Sequence, residues 1–500
     1  MLFKTKTLER YFMSYRKNIT GIQQRISTPY HKSIPILYAD WTASGRSFAP
    51  IEDRIQEELL PFVANTHTET SDTGLYMTHA YHVARKKIKA HVNASNEDVL
   101  INCGSGMTGA VNKLQRILGI KLHERFKSLL EIEENDRPIV FVTHLEHHSN
   151  HTSWLETIAD VEVIAPCEKG IFDFDDFERK IEKYKNRKLK IAAISACSNV
   201  TGVLTPLMDI AQTIHNHGGV IFADFACSAP YVNINMHEND AQGRYLDALM
   251  FSPHKFLGGP GSSGVLIFNQ KLYHNHIPDH PGGGTVQFTD PWQGRAYFDD
   301  IEEREDGGTP AFLQTIRTAM CIALKEEMGV ENILQREEEI MELFWKTIDK
   351  NENIIIYEKQ NKTRLGVISF NIKGLPHQLG VRILNDMYGI QARGGCSCAG
   401  TYGHYLLSVD QSTSKKIQNE ITCGSLQNKP GWIRISFHPT FTDKEVVFVA
   451  EAINSLAKTF PKYQKDYSLT KKGYVFKNQR ETSGDLLKSQ VEEVFAAPFV

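Results

Sequence analysis

One lysine lies just after an apolar run of this sequence, where an amine can do covalent chemistry. Lys255 follows the strand-like residues 246–251 and lies in the segment 252–259, which holds small and aromatic residues. Partial burial near a strand end lowers the pKa of an amine, which then forms an imine with an aldehyde more readily. The alternative is an exposed loop lysine, the commoner case for any single lysine. We therefore regard Lys255 as a candidate Schiff-base lysine.

An acidic residue ends a second apolar run. Asp224 follows four apolar residues at 220–223, and burying a carboxylate is costly unless a positive group pairs with it. The protonated nitrogen of a pyridine ring is such a group, and the pair lets the ring withdraw electrons from a substrate carbanion. An aspartate that caps the next turn is the alternative. A lysine and an aspartate at strand ends of one sheet favour pyridoxal 5'-phosphate (PLP) as the cofactor.

A glycine-rich junction offers a place for an anion. Gly104, Gly106 and Gly109 precede the helical residues 110–118, and the N–H groups and dipole of a helix N-terminus attract phosphate. The spacing also satisfies the dinucleotide-binding fingerprint, which needs an acid at the end of the next strand, about 20 residues further on. That strand begins only at residue 139, which weakens the alternative. A glycine-rich turn without a ligand is the third interpretation.

The elements that position these residues form a repeating pattern. Short apolar runs alternate with helical stretches, which predicts an α/β fold with a mainly parallel sheet covered on both faces. Ligands of such sheets bind outside the carboxyl ends of the strands. The predicted strands are 99–103, 139–143, 161–164, 191–195, 220–224, 246–251 and 264–268, and the helices between them include 108–118 and 208–216.

A second, smaller α+β domain is predicted beyond this pattern. Its elements are helices within 311–350, strands at 354–357, 367–372 and 432–437, and helices near 377–387 and 443–457. We assign residues 36–320 to a large cofactor-binding domain. Residues 1–35 and 321–460 form the small domain, and residues 461–500 form a polar C-terminal tail, expected to be partly disordered.

The composition argues against several partners. The 500 residues carry a formal net charge of −3, so no basic field attracts nucleic acid. No apolar run approaches the roughly 18 residues of a membrane span, and the mildly basic N-terminus lacks the apolar segment of a secretory signal. We expect a cytoplasmic protein, with a mitochondrial presequence as the weaker alternative. Of eight cysteines, expected to be reduced, only Cys396 and Cys398 form a tight pair.

Taken together, the motifs resemble the class V aminotransferase family of fold-type I PLP enzymes. Within that family they are most similar to the short-loop cysteine desulfurase and selenocysteine lyase group. The resemblance extends from about residue 36 to residue 457, and the order of the motifs is far more specific than any single one. The matching segments are Tyr38-Ala39-Asp40, residues 106–112, Glu146-His147-His148-Ser149-Asn150, residues 198–202, Ala223-Asp224, Ser252-Pro253-His254-Lys255, residues 307–310, residues 393–399 and Arg434-Ile435-Ser436.

The resemblance implies a cofactor-binding set. Lys255 holds the cofactor as a Schiff base and moves protons, Asp224 pairs with the ring nitrogen, and His147 stacks on the ring as an acid–base group. His148 is the fallback for that role. Asn199 lies beside the phenolic oxygen. The residues implied around the phosphate are Gly106, Met107, Thr108, Ser252 and His254, with Thr309 reaching the phosphate of the neighbouring subunit, so a homodimer is implied.

The resemblance also implies a substrate site. Arg434 matches the arginine that binds the substrate α-carboxylate, a bidentate task suited to a guanidinium group, although a structural ion pair is the alternative for a strand arginine. Arg393 ties the next segment to the small domain. Cys398 matches the sulfur-accepting cysteine, whose thiolate attacks the substrate sulfur to give a persulfide and alanine. Such a segment is expected to be mobile, with glycines on both sides.

Three features depart from the short-loop group. Cys396 lies two positions before Cys398, so it is a rival nucleophile or a redox partner. The stretch between Cys398 and Arg434 is longer than usual, and its residues 404–431 could cover the site. Cys227 stands where the family typically has a glutamine beside the phenolic oxygen.

Metal binding is the weaker interpretation of the histidines and cysteines. The four histidines between residues 144 and 151 lack the spacing of zinc-binding helices. Cys396 and Cys398, with His404 and Cys423, lack the usual pair spacing of zinc sites. We therefore expect no metal.

The predicted function is that of a PLP-dependent cysteine desulfurase or selenocysteine lyase. Such an enzyme acts on a small amino acid, and a protein sulfur acceptor is an expected partner, whereas nucleic acid and membrane are not. The first alternative is a PLP-dependent aminotransferase or β-lyase that needs no thiol. The second is a non-catalytic binding module, against which the Lys255 and Asp224 pair argues.

Overall fold

The structure is a computed structural model that describes residues 7–66, 68–127, 129–348, 351–362, 364–424, 429–470, 473–477 and 483–498. Residues 1–6 of the predicted small domain and parts of the predicted tail lie outside these ranges. The helices, in chain order, are α1 Leu8–Arg16, α2 Ala49–Arg54, α3 Asp72–His91, α4 Met107–Ile117, α5 Glu124–Lys127, α6 His148–Leu155, α7 Phe174–Lys183, α8 Leu207–Asn216, α9 Ile301–Arg304, α10 Phe312–Met328, α11 Val330–Ile348, α12 His377–Tyr388, α13 Gly400–Leu406, α14 Gln411–Thr422, α15 Asp443–Gln464 and α16 Ser483–Ala496.

The strands fall into one large sheet, one smaller sheet and several two-stranded pairs. In chain order they are β1 Arg25–Ile26, β2 Ile34–Pro35, β3 Leu37–Tyr38, β4 Asp98–Asn102, β5 Ile139–Thr143, β6 Asp160–Ile164, β7 Lys190–Ser195, β8 Val220–Asp224, β9 His237–Asn239, β10 Arg244–Tyr245, β11 Ala248–Phe251, β12 Val265–Asn269, β13 Val286–Thr289, β14 Arg295–Tyr297, β15 Ile354–Ile356, β16 Val367–Ile372, β17 Ile390–Gln391, β18 Arg393–Gly395, β19 Trp432–Ser436, β20 Tyr467–Thr470 and β21 Gly473–Phe476.

The large sheet has seven strands in the order β4-β12-β11-β8-β7-β5-β6. Strand β12 runs antiparallel to both of its neighbours, and the other strand pairs are parallel. Alternate side chains of β5 enter different apolar clusters, Ile139 and Phe141 on one face and Val140 and Val142 on the other. Burial on both faces explains the unbroken apolar runs. The α/β class is confirmed.

The smaller sheet is antiparallel in the order β15-β16-β19-β18. Helices α12 and α15 pack against this region, and α15 also packs on α11. The first helix packs on α11 and contacts the end of α10, where the hydroxyls of Tyr11 and Tyr15 donate to the carbonyl of Glu327 at 3.1 and 3.3 Å. Strand β19 carries Arg434 to the edge of the large sheet. The division into domains stays a prediction.

Parts of the predicted C-terminal tail form regular elements in the described residues. Helix α15 continues to Gln464, beyond the predicted helix end at 457 and across the boundary at 460, and a hairpin of β20 and β21 follows. Tyr467 of this hairpin is buried and donates to Asp386 at 2.9 Å, and the ring of Phe476 packs against Tyr30. Residues 461–470 and 473–477 thus pack against the small sheet's helices. Among the helices described, none has the length and apolar character of a membrane crossing.

Candidate active site

The carboxyl ends of the central strands open into one cavity of about 250 Å³. Residues that follow β4, β5, β7, β8 and β11 form its floor, as expected for a parallel sheet. The N-terminal segment and the smaller sheet supply the opposite wall. The lining residues are Thr42, Ala43, Ser105, Gly106, Met107, Thr108, Gly109, His147, Ser149, Ser195, Cys197, Asn199, Asp224, Ala226, Cys227, Ser252, His254, Lys255, Arg393, Ser397 and Arg434.

Lys255 reaches the cavity from a short 3₁₀ turn, Pro253–Lys255, that directly follows β11. Desolvation lowers the pKa of its amine, and the nearby Cys227 and Asp224 oppose that shift. Lys255 is one of the residues that line the cavity. The amine thus faces the cavity with a lowered pKa, the condition that favours imine formation.

Asp224 ends β8 and is only 5% exposed. Its Oδ1 atom accepts a hydrogen bond from the Ala226 N–H at 2.8 Å. Burial raises the pKa of the carboxyl to about 6, against the opposing effects of that hydrogen bond and of Lys255. A buried acid with a raised pKa lacks a sufficient positive partner. The protonated nitrogen of a pyridine ring in the cavity would supply one.

The junction of β4 and α4 forms the opposite end of the cavity. The N–H of Met107, at the first position of α4, donates to Ser252 Oγ at 2.8 Å. A Cβ atom on Gly106 would lie 2.9 Å from the same Oγ, so the backbone approaches too closely for a side chain. Thr108 Oγ1 lies 2.7 Å from Ser149 Oγ, and His254 lines the same end. N–H groups, hydroxyls and the helix N-terminus together suit a phosphate group.

The two neighbouring histidines of the 146–150 motif face different surroundings. His147 lines the cavity, and its Nδ1 accepts from the Ser149 N–H at 3.1 Å, which caps α6. Burial, followed by the charge of Lys255, lowers its pKa to about 3, so the ring is neutral. His148 instead accepts from the Gly400 N–H at 2.9 Å. The geometry thus favours His147 over His148 as the residue that would stack on the cofactor ring.

Arg434 forms the cationic wall of the cavity. Its side chain is 1% exposed, and its Nη1 donates to the Asn199 carbonyl at 3.0 Å while Nη2 donates to Asp40 at 2.6 Å. Among the described residues its buried Nε has no acceptor. Arg393, on the adjacent strand and paired with Arg434 in the sheet register, is exposed and lines the cavity too.

Only one of the two polar side-chain atoms of Asn199 forms a hydrogen bond with the described residues. Its Nδ2 donates to the Ser397 carbonyl at 2.7 Å, whereas its buried Oδ1 has no partner among the described residues. A buried oxygen without a donor implies that another group completes the site. Together with Asp224 and Gly106, this orphaned oxygen shows that the cavity fits a ring bearing polar substituents and a phosphate.

The 396–400 segment presents Ser397 rather than Cys398 to the cavity. Ser397 is buried and lines it, while Cys398 is exposed and is not among the lining residues. Both have left-handed φ angles, 52° and 57°. The segment is held in place, because Ser397 accepts hydrogen bonds through its carbonyl and its Oγ, and the Cys398 carbonyl accepts from the His148 N–H at 2.7 Å. Cys396 is half-buried beside it.

Thr309 is exposed and is not among the residues that line this cavity. Its predicted contact is with the phosphate of a neighbouring subunit, and that contact stays a prediction. The helix-like run predicted at 411–421 forms α14, which follows α13 on the surface next to the 396–400 segment. No cluster of three or more His, Cys, Asp or Glu residues in the described part of the chain has a metal-binding arrangement.

Sequence reasoning did not single out Glu146 as a functional residue, although its buried carboxylate organises the cavity. Glu146 is 1% exposed and accepts from Thr143, from the N–H and Oγ of Ser195, and from Asn150. Desolvation raises its pKa to about 7. The carboxylate joins the ends of β5 and β7 and so places His147, the next residue. An acid directly before the candidate histidine was the available signal.

Comparisons with known proteins agree with the motif-based resemblance. A family model described as aminotransferase class-V matches residues 37–449. The probable cysteine desulfurase of Halalkalibacterium halodurans is 27% identical over 370 residues, covering 73% of this chain and 84% of the relative. That of Staphylococcus epidermidis strain RP62A is 29% identical, covering 73% and 83%.

Two solved structures share the fold. The apo cysteine desulfurase from Thermococcus onnurineus NA1 superposes with a TM-score of 0.70 at 24% identity, covering 89% of this chain and 98% of that one. A cysteine desulfurase from Escherichia coli has a TM-score of 0.68 at 20% identity, covering 90% and 98%. At these identities the superpositions establish the fold alone, while the family model covers most of the sequence. The chain belongs to the class V aminotransferase family.

Proposed function

We propose that the chain is a PLP-dependent cysteine desulfurase that removes sulfur from L-cysteine, or selenium from L-selenocysteine, and releases alanine. The observation that carries the proposal is a single cavity that joins the Lys255 amine, the Asp224 carboxyl, the N-terminus of α4 and the Arg434 guanidinium. Relatives named as probable cysteine desulfurases support the choice of reaction.

The cofactor would be held at both ends of this cavity. Gly106, Met107, Thr108, Ser252 and His254 would surround its phosphate, Asp224 would face the ring nitrogen, and Asn199 would lie beside the phenolic oxygen. When bound, PLP supplies an aldehyde that condenses with amines and a ring that withdraws electrons. Lys255 would hold the cofactor and carry protons, and the neutral ring of His147 would cover its face.

Arg434 would bind and orient the substrate carboxylate. A guanidinium whose Nε–H has no acceptor among the described residues offers a charge-assisted hydrogen bond to an amino-acid carboxylate. The thiol of Cys398 would then attack the substrate sulfur. The carbon–sulfur bond breaks as a sulfur–sulfur bond to Cys398 forms, the carbon takes up a proton, and alanine leaves while Cys398 keeps the persulfide.

For this transfer the 396–400 segment would have to turn its thiol inward. His148 contacts the segment twice, through the Cys398 carbonyl and the Gly400 N–H. Gly395, with a φ of 113°, directly precedes the segment, and its lack of a side chain permits a change of backbone path. The two His148 hydrogen bonds, together with those that Ser397 accepts from Asn199 and Trp432, would form the barrier to that movement.

The first experiment measures sulfide and alanine formed from L-cysteine by the PLP-loaded protein with dithiothreitol present. We expect both products in equal amounts. Cys398→Ala should lose sulfide production, whereas Cys423→Ala, which removes another exposed thiol, should retain it. Unchanged sulfide production in Cys398→Ala would reject the persulfide role, and absence of both products from the unmodified protein would reject the desulfurase.

An aminotransferase or β-lyase is the second candidate, favoured by the position of Cys398 outside the residues that line the cavity. Such a reaction needs the cofactor set and Arg434 but no thiol. The same incubation, extended to a panel of amino acids, would then yield keto acids at a rate that Cys398→Ala does not change.

We further propose a homodimer in which Thr309 contacts the partner's phosphate, located in the cytoplasm. An amino-acid substrate and a protein sulfur acceptor would be its partners, without nucleic acid or membrane. The molar mass in solution and the effect of Thr309→Val on PLP affinity test the dimer.

A further inference from the structure

Two cysteines that the proposed reaction does not use lie side by side in the cavity wall. Cys197 and Cys227 are 3% and 5% exposed, and both line the cavity. They follow the ends of neighbouring parallel strands, two residues beyond Ser195 and three beyond Asp224, which are paired in the sheet register. A small molecule in the cavity therefore meets two thiols.

Both sulfur atoms contact one oxygen. Cys197 Sγ lies 3.6 Å and Cys227 Sγ lies 3.7 Å from the carbonyl oxygen of Ser198. The strands that precede them are neighbours in the sheet, about 4.8 Å apart. Because both sulfur atoms contact the same oxygen, rotation of each side chain about its Cα–Cβ bond can bring the two thiols together, as a disulfide requires.

The charges around the two thiols differ. The hydrogen bond with Cys197, then the charges of Lys255 and Arg434, lower the pKa of Cys227. Burial raises the pKa of Cys197 well above its usual value. The hydrogen bond with Cys227 and the negative charge of Glu337 act in the same direction. Cys227 therefore has the greater thiolate character, and Cys197 is placed to react with it afterwards.

We propose that Cys227 and Cys197 form a redox-modification site that hydroperoxides close into a disulfide within the cofactor cavity. The Cys227 thiolate attacks one peroxide oxygen, the oxygen–oxygen bond breaks, and hydroxide or alkoxide leaves, so that Cys227 becomes a sulfenic acid. Cys197 then attacks that sulfur, the sulfur–sulfur bond forms and water leaves. The two thiols lose two electrons in total, the peroxide gains them, and a dithiol reductant reverses the process.

The disulfide would change the wall of the cavity and would also protect Cys227 from further oxidation. It ties the residues after β7 to those after β8 and withdraws the Cys227 thiol from beside Lys255. It also keeps Cys227 from the sulfinic and sulfonic states, which dithiols do not reduce. This inference goes beyond the proposed desulfurase activity, because it holds for any reaction carried out in the cavity.

The test treats the full-length, PLP-loaded protein with hydrogen peroxide, alkylates remaining thiols under denaturing conditions and maps the peptides by mass spectrometry. We expect the peptides containing Cys197 and Cys227 to be joined and two hydrogen atoms lighter than the reduced pair. Dithiothreitol should restore both alkylated thiols and the original absorbance of bound PLP. The inference would be overturned if Cys197 and Cys227 were both still alkylated at a peroxide dose that had oxidised the exposed Cys398.

Matched variants test the order of the two steps. In Cys197→Ser, peroxide should drive Cys227 to sulfinic acid that dithiothreitol does not reverse, whereas in Cys227→Ser the thiol of Cys197 should stay reduced. Cys321→Ser removes a thiol that is buried in α10 and does not line the cavity, and it should leave the cross-link unchanged. Oxidation of Cys197 in Cys227→Ser would contradict the proposed order. The peptide mapping of the unmodified protein tests the disulfide itself and does not depend on whether any variant folds.

Discussion

The guanidinium of Arg434 donates to the Asp40 carboxylate at 2.6 Å, and this pair joins the N-terminal segment to the smaller sheet at the wall of the cavity. The backbone of Asp40 also forms an isolated parallel β-bridge with Ser436, which lies on the same strand as Arg434, β19. A carboxylate that already binds one edge of the guanidinium fixes its plane. Nη1 donates to the Asn199 carbonyl, and among the described residues Nε has no acceptor, so the proposed substrate carboxylate would bind the N–H groups that remain.

Arg434→Lys tests that arrangement. A lysine keeps the charge but loses the planar pair of donors, so we expect kcat/KM for an amino-acid substrate to fall about 10- to 100-fold, the worth of a hydrogen bond to a charged group. The control change Arg179→Lys, at an exposed side chain of α7 outside the cavity, should leave kcat/KM unchanged. With cysteamine, which lacks the carboxylate, the effect of Arg434→Lys should disappear. An equal loss with both compounds would show that Arg434 acts on the fold rather than on the substrate.

Lys255→Ala removes the amine that would hold the cofactor. Turnover should fall roughly 10³-fold or more, because the residue that carries protons is lost with the covalent link. Borohydride reduction followed by peptide mapping should place PLP on Lys255 in the unmodified protein and nowhere in the variant. Lys271→Ala, at an exposed position after β12, should keep both the label and the turnover. A labelled lysine elsewhere in Lys255→Ala would contradict the assignment.

Much of this site could be predicted because it lies at the ends of fully buried strands. The apolar runs at 139–143, 220–224 and 367–372 coincide with β5, β8 and β16, since two-sided burial leaves a continuous signal. Asp224 and Lys255 follow such runs, so their place at one sheet edge follows from parallel topology alone.

Other features depend on contacts that a single sequence does not display. In the hairpin β13–β14 the alternating apolar residues Val286 and Phe288 are not buried, since Phe288 is 57% exposed and Trp292 at the turn is 84% exposed. So short an alternation, without a buried face, did not indicate a strand. The final turns of α15 are stabilised by partners distant in sequence, such as the ring of Tyr30 against Tyr463. The outward direction of Cys398 depends on two left-handed residues, and spacing does not reveal them.

Asp224→Asn should have opposite effects on the cofactor-free and the PLP-loaded protein. Without PLP, burial raises the pKa of Asp224 from 3.8 to about 6. The stability that the protonated form contributes is therefore complete below pH 4 and lost as the pH rises through 6. At pH 7.5 the variant should gain up to about 3 kcal/mol of unfolding free energy, and at pH 4 it should gain little.

With PLP bound, the same substitution removes the partner of the ring nitrogen. We expect weaker PLP binding and a large loss of turnover, so the variant should be more stable without the cofactor and less active with it. Thermal unfolding at the two pH values, with and without PLP, separates the effects. A loss of stability without PLP at pH 7.5 would show that Asp224 is satisfied by the protein itself.

Gly106→Ala tests the phosphate end of the cavity. The new Cβ atom would lie 2.9 Å from Ser252 Oγ, so the serine must move, and its hydrogen bond from the Met107 N–H is lost. Because that contact shapes the N-terminus of α4, we expect the dissociation constant of PLP to rise about tenfold, or 1.4 kcal/mol. Gly283→Ala is the matched control, since a Cβ atom there meets nothing within 4 Å. Fluorescence titration with PLP measures both variants, and combining Gly106→Ala with Ser252→Gly should relieve the clash without restoring the lost contact. An unchanged affinity in Gly106→Ala would place the phosphate elsewhere.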